Sequence, residues 1–127
     1  MKRDDIVKWL QRRAIQAAPF EACGFILNDG EIIEIPNGAE DPSRHFLMTS
    51  DGLAKTLKPG QISRIIGIWH THPKGSNEPS YTDIHAMSIG AVQPDWLYLI
   101  ATGSAVTWWN PKDYVPQDNS FWNEFVA

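Results

Sequence analysis

The segment that most restricts the fold is a short apolar run that ends in two histidines. Residues 64–70 read Arg-Ile-Ile-Gly-Ile-Trp-His, and Thr71, His72 and Pro73 follow. A nearly continuous apolar run of this length is typical of a strand buried on both faces, which requires further layers above and below its sheet. Side chains alternate along a strand with a period of two, so His70 and His72 are expected on the same face.

Helices and strands are predicted on both sides of this run, without regular alternation. Residues 4–17 have helical apolar spacing and end before Pro19, and residues 22–27 and 32–35 form a hairpin around Asn28-Asp29-Gly30. The remaining predicted elements are a strand over 44–49, a helix over 50–57 capped by Ser50-Asp51 and ended by Pro59-Gly60, a helix from Ser80 to about Gly90, and strands over 96–101 and 105–109. The predicted class is α+β, or mixed α/β.

Length and composition bound the class of protein. The 127 residues suit one domain, and the net charge of −4 argues against a nucleic-acid partner. No apolar run is long enough to cross a membrane, the N-terminus lacks the pattern of a secretory signal, and a single cysteine fits a reducing compartment. We therefore expect a cytoplasmic protein, with a domain over residues 1–112 and a C-terminal tail over 113–127 packed on or near it.

The residues with metal-binding chemistry are His70, His72 and Asp83. Ten residues separate His72 from Asp83, which lets a loop return the start of the next helix to the strand end. Two imidazoles and one carboxylate form a ligand set that zinc takes in catalytic sites, with a fourth position left for water. A hydrolase also needs a base, and Glu21, just before an apolar strand of the same predicted sheet, is the best-placed carboxylate.

These residues resemble the JAMM (MPN+) metalloprotease motif, a Glu near the first strand, then His-x-His-Pro, six residues, Ser, two residues and Asp. The matching positions are Glu21 within Glu21-Ala22-Cys23-Gly24-Phe25, His70-Thr71-His72-Pro73, Ser80 and Asp83. The resemblance covers roughly residues 5–110 and implies a curved mixed sheet flanked by helices, similar to the cytidine-deaminase architecture. It implies zinc ligands at His70, His72 and Asp83, a general acid/base at Glu21, and a hydrogen bond from Ser80 to the oxyanion.

A looser resemblance concerns bacterial and phage MPN domains, including the N-terminal part of phage tail assembly protein K. It rests on residues 37–46 and on the Trp96-Leu97-Tyr98-Leu99-Ile100 segment. The implied substrates are a peptide or isopeptide bond in a ubiquitin-like or sulfur-carrier protein, a cell-wall peptide or a phage tail component. The insertions with which eukaryotic deubiquitinases grip ubiquitin have no counterpart here, which weakens an assignment to ubiquitin chains. The sequence makes no prediction of oligomeric state.

Three other classes of protein fit the sequence less well than a hydrolase does. A non-catalytic MPN scaffold or binding module, for example in phage tail assembly, usually lacks ligand residues that this chain keeps. A cupin is disfavoured because Arg64 stands where that fold wants glycine, six positions before the first histidine. A zinc deaminase is excluded, because one cysteine cannot form its Cys-x-x-Cys ligand pair.

Each candidate residue also has a purely structural interpretation. His70 and His72 could face solvent, Glu21 could be a surface acid, and Ser80 with Asp83 fits a helix capping box. Cys23 is expected as a small buried residue and not a fourth ligand. Non-ligand roles are expected for His45 and His85, core or pocket-wall positions for Trp69 and Trp96, and either burial or an exposed aromatic surface for Trp108, Trp109 and Trp122.

Overall fold

The computed structural model describes residues 2–88, 93 and 95–111, and for residues 86–88 it describes the backbone alone. The predicted C-terminal tail, the end of the predicted helix near Gly90 and Trp122 therefore lie outside the described residues. The elements in the described part are α1 (Arg3–Ala17), β1 (Cys23–Leu27), β2 (Ile32–Ile35), α2 (Ser50–Thr56), α3 (Pro59–Ile62), β3 (Ile65–Thr71), α4 (Tyr81–Ser88), β4 (Leu97–Ala101) and β5 (Val106–Trp109). None of the described helices has the length and apolar character needed to span a membrane.

The strands form one mixed sheet in the order β2-β1-β3-β4-β5. Strand β3 is central: it pairs antiparallel with β1 and parallel with β4, and all seven of its residues are buried. The parallel pair is connected through α4, as a crossover between parallel strands requires. The prediction of a mixed α+β fold around a buried central strand is therefore confirmed.

The hairpin of β1 and β2 forms as its turn sequence predicts. Gly30 has a φ of 88°, a conformation that glycine adopts without steric cost. The carboxylate of Asp29 accepts a hydrogen bond of 3.0 Å from the backbone N–H of Glu31, which fixes the turn. The turn sets the register in which Cys23 pairs with Ile35.

Helix α1 covers one face of the sheet. Its apolar residues recur at helical spacing, and Ile6 and Leu10 have no exposed surface. They pack with Ile26, Trp69 and Leu99 of three strands into one buried cluster.

The other face is covered by shorter pieces. Phe25, Ile68 and Tyr98 of this face pack against half-buried residues of α2 and of the segment before it, among them Phe46 and Leu53. No single helix covers this face in the described part of the chain.

The prediction of a strand over Arg44–Thr49 is wrong. The side chain of Asn37 replaces the ladder that a strand would need, because its Nδ2 donates to the carbonyl oxygen of His45 and its Oδ1 accepts from the N–H of Leu47 (2.9 and 3.1 Å). Backbone groups satisfied by a side chain have no need of a neighbouring strand.

The N-cap of α2 also differs from the prediction. The Oγ1 of Thr49 accepts a hydrogen bond of 3.0 Å from the N–H of Gly52, so Thr49 is the cap and Ser50 and Asp51 lie inside the helix. Pro59 begins the short helix α3 instead of only ending the one before it, a position that its fixed φ favours.

Candidate metal centre

His70 and His72 come together at the end of β3, as the strand period predicts. His70 has no exposed surface, and the side chain of His72 is 13% exposed. Their Nε2 atoms lie 2.9 Å apart. Two ring nitrogens that face each other at this distance are positioned to share one partner.

Asp83 meets the two histidines from the first turn of α4, and it is 4% exposed. Its Oδ2 lies 3.1 Å from Nε2 of His72, and its Oδ1 lies 3.2 Å from Nε2 of His70. The loop before α4 is held in place by Asn77, whose Nδ2 donates to the carbonyl oxygens of Ile100 and Ala105. These hydrogen bonds to β4 and to the turn after it therefore hold the loop that brings Asp83 to the end of β3.

The donor set fits a divalent cation such as zinc. One ligand atom from each of His70, His72 and Asp83 lies within 4.8 Å of the others. Ligand atoms about 2.0–2.1 Å from a tetrahedral zinc are about 3.3 Å apart, close to the separations found here. These three residues could therefore hold a metal ion.

The tautomer of His72 strengthens this fit. Its Nδ1 lies 2.7 Å from the carbonyl oxygen of Ser76, which can only accept, so Nδ1 carries the proton. In the neutral ring, Nε2 then presents a lone pair to the carboxylate of Asp83, which also has only lone pairs to offer. A proton or a metal cation between them resolves this repulsion, and metal binding takes the neutral ring as its ligand.

The charges in the cluster are strongly coupled. Burial opposes ionisation of Asp83, but the facing His70 and His72 outweigh it and hold the pKa of Asp83 well below its ordinary value. Burial lowers the pKa of His70, whereas for His72 the hydrogen bonds to Asp83 and Ser76 outweigh burial and raise the pKa. Asp83 is therefore ionised and His70 neutral, as a metal site requires, whereas the raised pKa of His72 means that metal binding competes with a proton at this ring.

Aromatic rings enclose the buried histidine. Phe46 stacks on the ring of His70 with centroids 4.6 Å apart, and Tyr98 meets its edge at 5.3 Å. The hydroxyl of Tyr98 donates to Oδ1 of Asp83 at 2.9 Å. The Nδ1 of His70 has no hydrogen-bond partner among the described residues, so Nε2 is the nitrogen of this ring that takes part in the cluster.

Glu21 lies opposite the histidines, across the β1–β3 pair. Cys23 pairs with His70 in the ladder, and two hydrogen bonds of 2.9 Å between Ala22 and Thr71 continue it. The same register puts Glu21 opposite His72. Glu21 is 8% exposed, and burial raises the pKa of its carboxyl group to about 7, with the charge of His72 opposing this rise.

Ser80 has the capping geometry that its sequence context predicts. Its Oγ accepts from the N–H of Asp83 at 3.1 Å, and its own N–H donates to Oδ2 of Asp83 at 2.9 Å. Since a carboxylate has about four lone-pair sites, Asp83 serves this cap and faces both histidines at once. The Ser80 side chain is exposed and lines a cavity of 220 Å³ together with Glu21 and His72.

The other candidate ligands lie outside the cluster. The Sγ of Cys23 donates to the carbonyl oxygen of Ile35 at 3.4 Å, and burial raises the pKa of this thiol to about 12. His45 and His85 are exposed and belong to no ligand cluster in the described part of the chain. Trp69 is a core residue, and Trp96 lines a cavity, as expected.

Sequence reasoning missed three residues that shape the site: Tyr98, Asn77 and Phe46. The hydroxyl of Tyr98 is the polar side-chain group of the otherwise apolar strand β4, and this contrast in the sequence could have marked Tyr98 as a candidate site residue. Asn77 lies in a polar loop and Phe46 in a segment predicted as a strand, so neither had a recognisable pattern. Trp108 and Trp109 are half-buried, so they match neither full burial nor a fully exposed aromatic surface.

A family model for prokaryotic homologues of the JAB domain matches residues 3–112. Among curated protein sequences, none matches this chain significantly.

Solved structures share the fold at low sequence identity. The solution structure of a protein from Desulfitobacterium hafniense is 20% identical, with a TM-score of 0.59 over 92% of this chain and 88% of that one. The crystal structure of a JAB1/MPN domain protein from Archaeoglobus fulgidus is 17% identical, with a TM-score of 0.54 over 87% of this chain and 88% of that one.

Proposed function

This chain belongs to the family of prokaryotic homologues of the JAB domain, and we propose that it is a zinc-dependent hydrolase of peptide or isopeptide bonds. His70, His72 and Asp83 would hold the metal ion, and Glu21 would transfer the proton. Ser80 would hydrogen-bond the oxyanion.

One observation carries this proposal. Glu21, His72 and Ser80 line the same 220 Å³ cavity, beside the buried cluster that His70 and Asp83 complete. A scaffold domain has no need to place a buried carboxylate and a hydroxyl at one cavity, beside a cluster of three ligand atoms. Metal-dependent hydrolysis of an amide uses such groups together: the ligands hold the metal, the carboxylate transfers the proton and the hydroxyl stabilises the oxyanion.

The protein groups have separate tasks in this reaction. A zinc ion in such a site supplies Lewis-acid chemistry: it acidifies water and polarises a carbonyl group. Glu21 accepts the proton of the attacking water and passes it to the leaving nitrogen, as a carboxylate that lines the cavity next to His72 can do. The hydroxyl hydrogen of Ser80 stays free to donate to the oxyanion, because its Oγ acts as acceptor in the helix cap.

The direct test is amide hydrolysis by the zinc-loaded protein, measured on a peptide library by mass spectrometry. Glu21→Gln is expected to keep the metal and to lose about 10²–10⁴-fold in kcat, the usual contribution of a proton-transfer group. Near-normal turnover by this variant would contradict the mechanism.

Ser80 needs a paired comparison, because its removal also removes the cap of α4. Ser80→Gly removes the hydroxyl at little cost to the cap, whereas Ser80→Thr keeps both the hydroxyl and the cap acceptor. We expect kcat to fall about 10²–10³-fold in Ser80→Gly, as for other oxyanion donors, and to stay within about tenfold in Ser80→Thr. Equal rates in the two variants would limit Ser80 to its capping role.

A further inference from the structure

A second and larger cavity adjoins the metal centre. It has a volume of 420 Å³ and lies between the sheet, α2 and residues 44–48. Ligand pockets in proteins commonly have about 300–1,000 Å³, so this cavity has room for one large side chain with part of its backbone.

The walls of this cavity are mainly apolar and aromatic. Phe25 and Ile68 form the sheet side, Phe46 and Leu53 lie opposite, and Trp96 meets the edge of Phe25 with ring centroids 5.7 Å apart. A charged side chain in contact with these five groups would lose its hydration and gain no ion pair from them. An apolar side chain would bury its surface here at a net gain.

The cavity shares lining residues with the proposed catalytic cavity. Glu21 and Arg44 line both of them, and Asp83 lines the larger one. Glu21 must approach the leaving nitrogen to hydrogen-bond distance if it transfers the proton. A side chain held in the larger cavity therefore belongs to a residue at the cleaved bond and not to a distant one.

We propose that this cavity is the subsite for a large apolar side chain, of leucine to phenylalanine size, on a residue that adjoins the cleaved bond. This inference rests on the proposed hydrolase function. It assigns the chain a substrate class, namely peptides with a bulky apolar residue beside the scissile amide.

Binding can be tested without turnover. The probes are N-acetyl-phenylalanine methylamide and N-acetyl-alanine methylamide, each titrated into the full chain and followed by two-dimensional NMR. The phenylalanine probe is expected to bind at least about tenfold more tightly, at the lower end of what burial of a phenyl ring yields. Equal affinities for the two probes would overturn the subsite.

Two variants that fill the cavity localise the binding. Leu53→Phe fills it from α2, and Thr82→Phe fills it from an exposed position that lines it. Ile62→Phe is the matched control, because Ile62 is 58% exposed on α3 and does not line the cavity. The phenylalanine preference should disappear in both filling variants and persist in the control. A preference that persists in both filling variants would overturn the assignment.

Peptide cleavage separates the two proposals. Zinc-loaded protein is assayed on peptides that differ only in Gly, Ala, Leu or Phe beside the cleaved bond, with kcat/KM expected to rise along this series. Cleavage that ignores this residue, with no probe preference, overturns the subsite and leaves the hydrolase standing. Probe preference without cleavage of any peptide overturns the hydrolase, and with it the position of the cavity beside a cleaved bond.

Discussion

One face of the sheet lies under a single helix of 15 residues, whereas the other lies under short helices and the irregular segment 44–49. The first face is filled by a continuous apolar cluster around Leu10 and Trp69. The second face has apolar residues as well, but it encloses a 420 Å³ cavity, and the candidate metal centre lies at its margin.

This difference places the continuous apolar core and the candidate metal centre on opposite faces of one sheet. A long amphipathic helix can bury a whole sheet face, because its apolar stripe is continuous. Short elements cover a sheet face incompletely. The gaps between them can hold polar side chains and ligands. We therefore expect substitutions under α1 to change the free energy of unfolding, and those on the second face to change metal or ligand binding.

The largest effect on stability is expected under α1. Leu10→Ala removes a side chain with no exposed surface and should lower the free energy of unfolding by about 2–5 kcal/mol, measured by urea denaturation. Zinc affinity of the folded variant should stay unchanged. A large loss of metal affinity in this variant would contradict the assignment of stability to the first face and of metal binding to the second.

On the second face, Tyr98→Phe is expected to act on the metal. It removes the hydrogen bond that orients Asp83, and the loss of such a partner typically weakens metal affinity by about 10–100-fold. Tyr81→Phe is the matched control, since Tyr81 is 94% exposed on α4. Equal zinc affinities in the two variants, by competition with a chelating dye, would refute a positioning role for Tyr98.

A smaller effect concerns the pH dependence of the metal-free protein. The pKa of Glu21 is about 7 in the folded chain against an ordinary value of 4.5, so the folded state binds more protons between these pH values. Stability must then fall as the pH rises through this window. Glu21→Gln abolishes this loss and should be more stable than the wild type by about 1–2 kcal/mol at pH 8.

Thermal unfolding of both proteins across this pH range measures the difference. The two curves should converge at the acidic end of the window, where the carboxyl group is protonated in both states. Exposed Glu31, replaced by Gln, supplies the control and should leave the profile unchanged. Parallel curves for wild type and Glu21→Gln would show that Glu21 titrates normally.

The smallest effect tests how the second face is covered. Thr49→Ala removes the cap of α2 and should cost about 1 kcal/mol in urea denaturation. Ser50→Ala, one residue further along, should cost only a few tenths of this. A larger loss of stability in Ser50→Ala than in Thr49→Ala would indicate that Ser50 caps the helix, as the sequence predicted.

Local sequence patterns account for most of the fold and for the ligand cluster. The alternation of β3 brings His70 and His72 to one face, and the turn at Gly30 defines the hairpin. The capping pattern of Ser80 and Asp83 fixes the start of α4. Each of these signals acts over a few residues, where propensity and geometry decide the outcome.

The features that sequence could not supply depend on contacts between distant residues. Residues 44–49 have strand-like composition, but Asn37 binds their backbone from outside the segment. The contact of Tyr98 with Asp83 and the larger cavity arise from how β4, α2 and α4 meet. No local pattern records such an arrangement.

His70, His72 and Asp83 are proposed to hold one metal ion beside Glu21. Calorimetric titration of zinc into the metal-free protein tests this site, with Asp83→Asn and Glu21→Gln as the variants. Asp51→Asn is the control, because Asp51 is an exposed residue of α2. We predict one ion per chain for the wild type, Glu21→Gln and Asp51→Asn, and affinity lower by at least about 100-fold for Asp83→Asn. Folded wild-type protein that binds no zinc, or Asp83→Asn protein that binds it as tightly as the wild type, would show that these three residues form no zinc site.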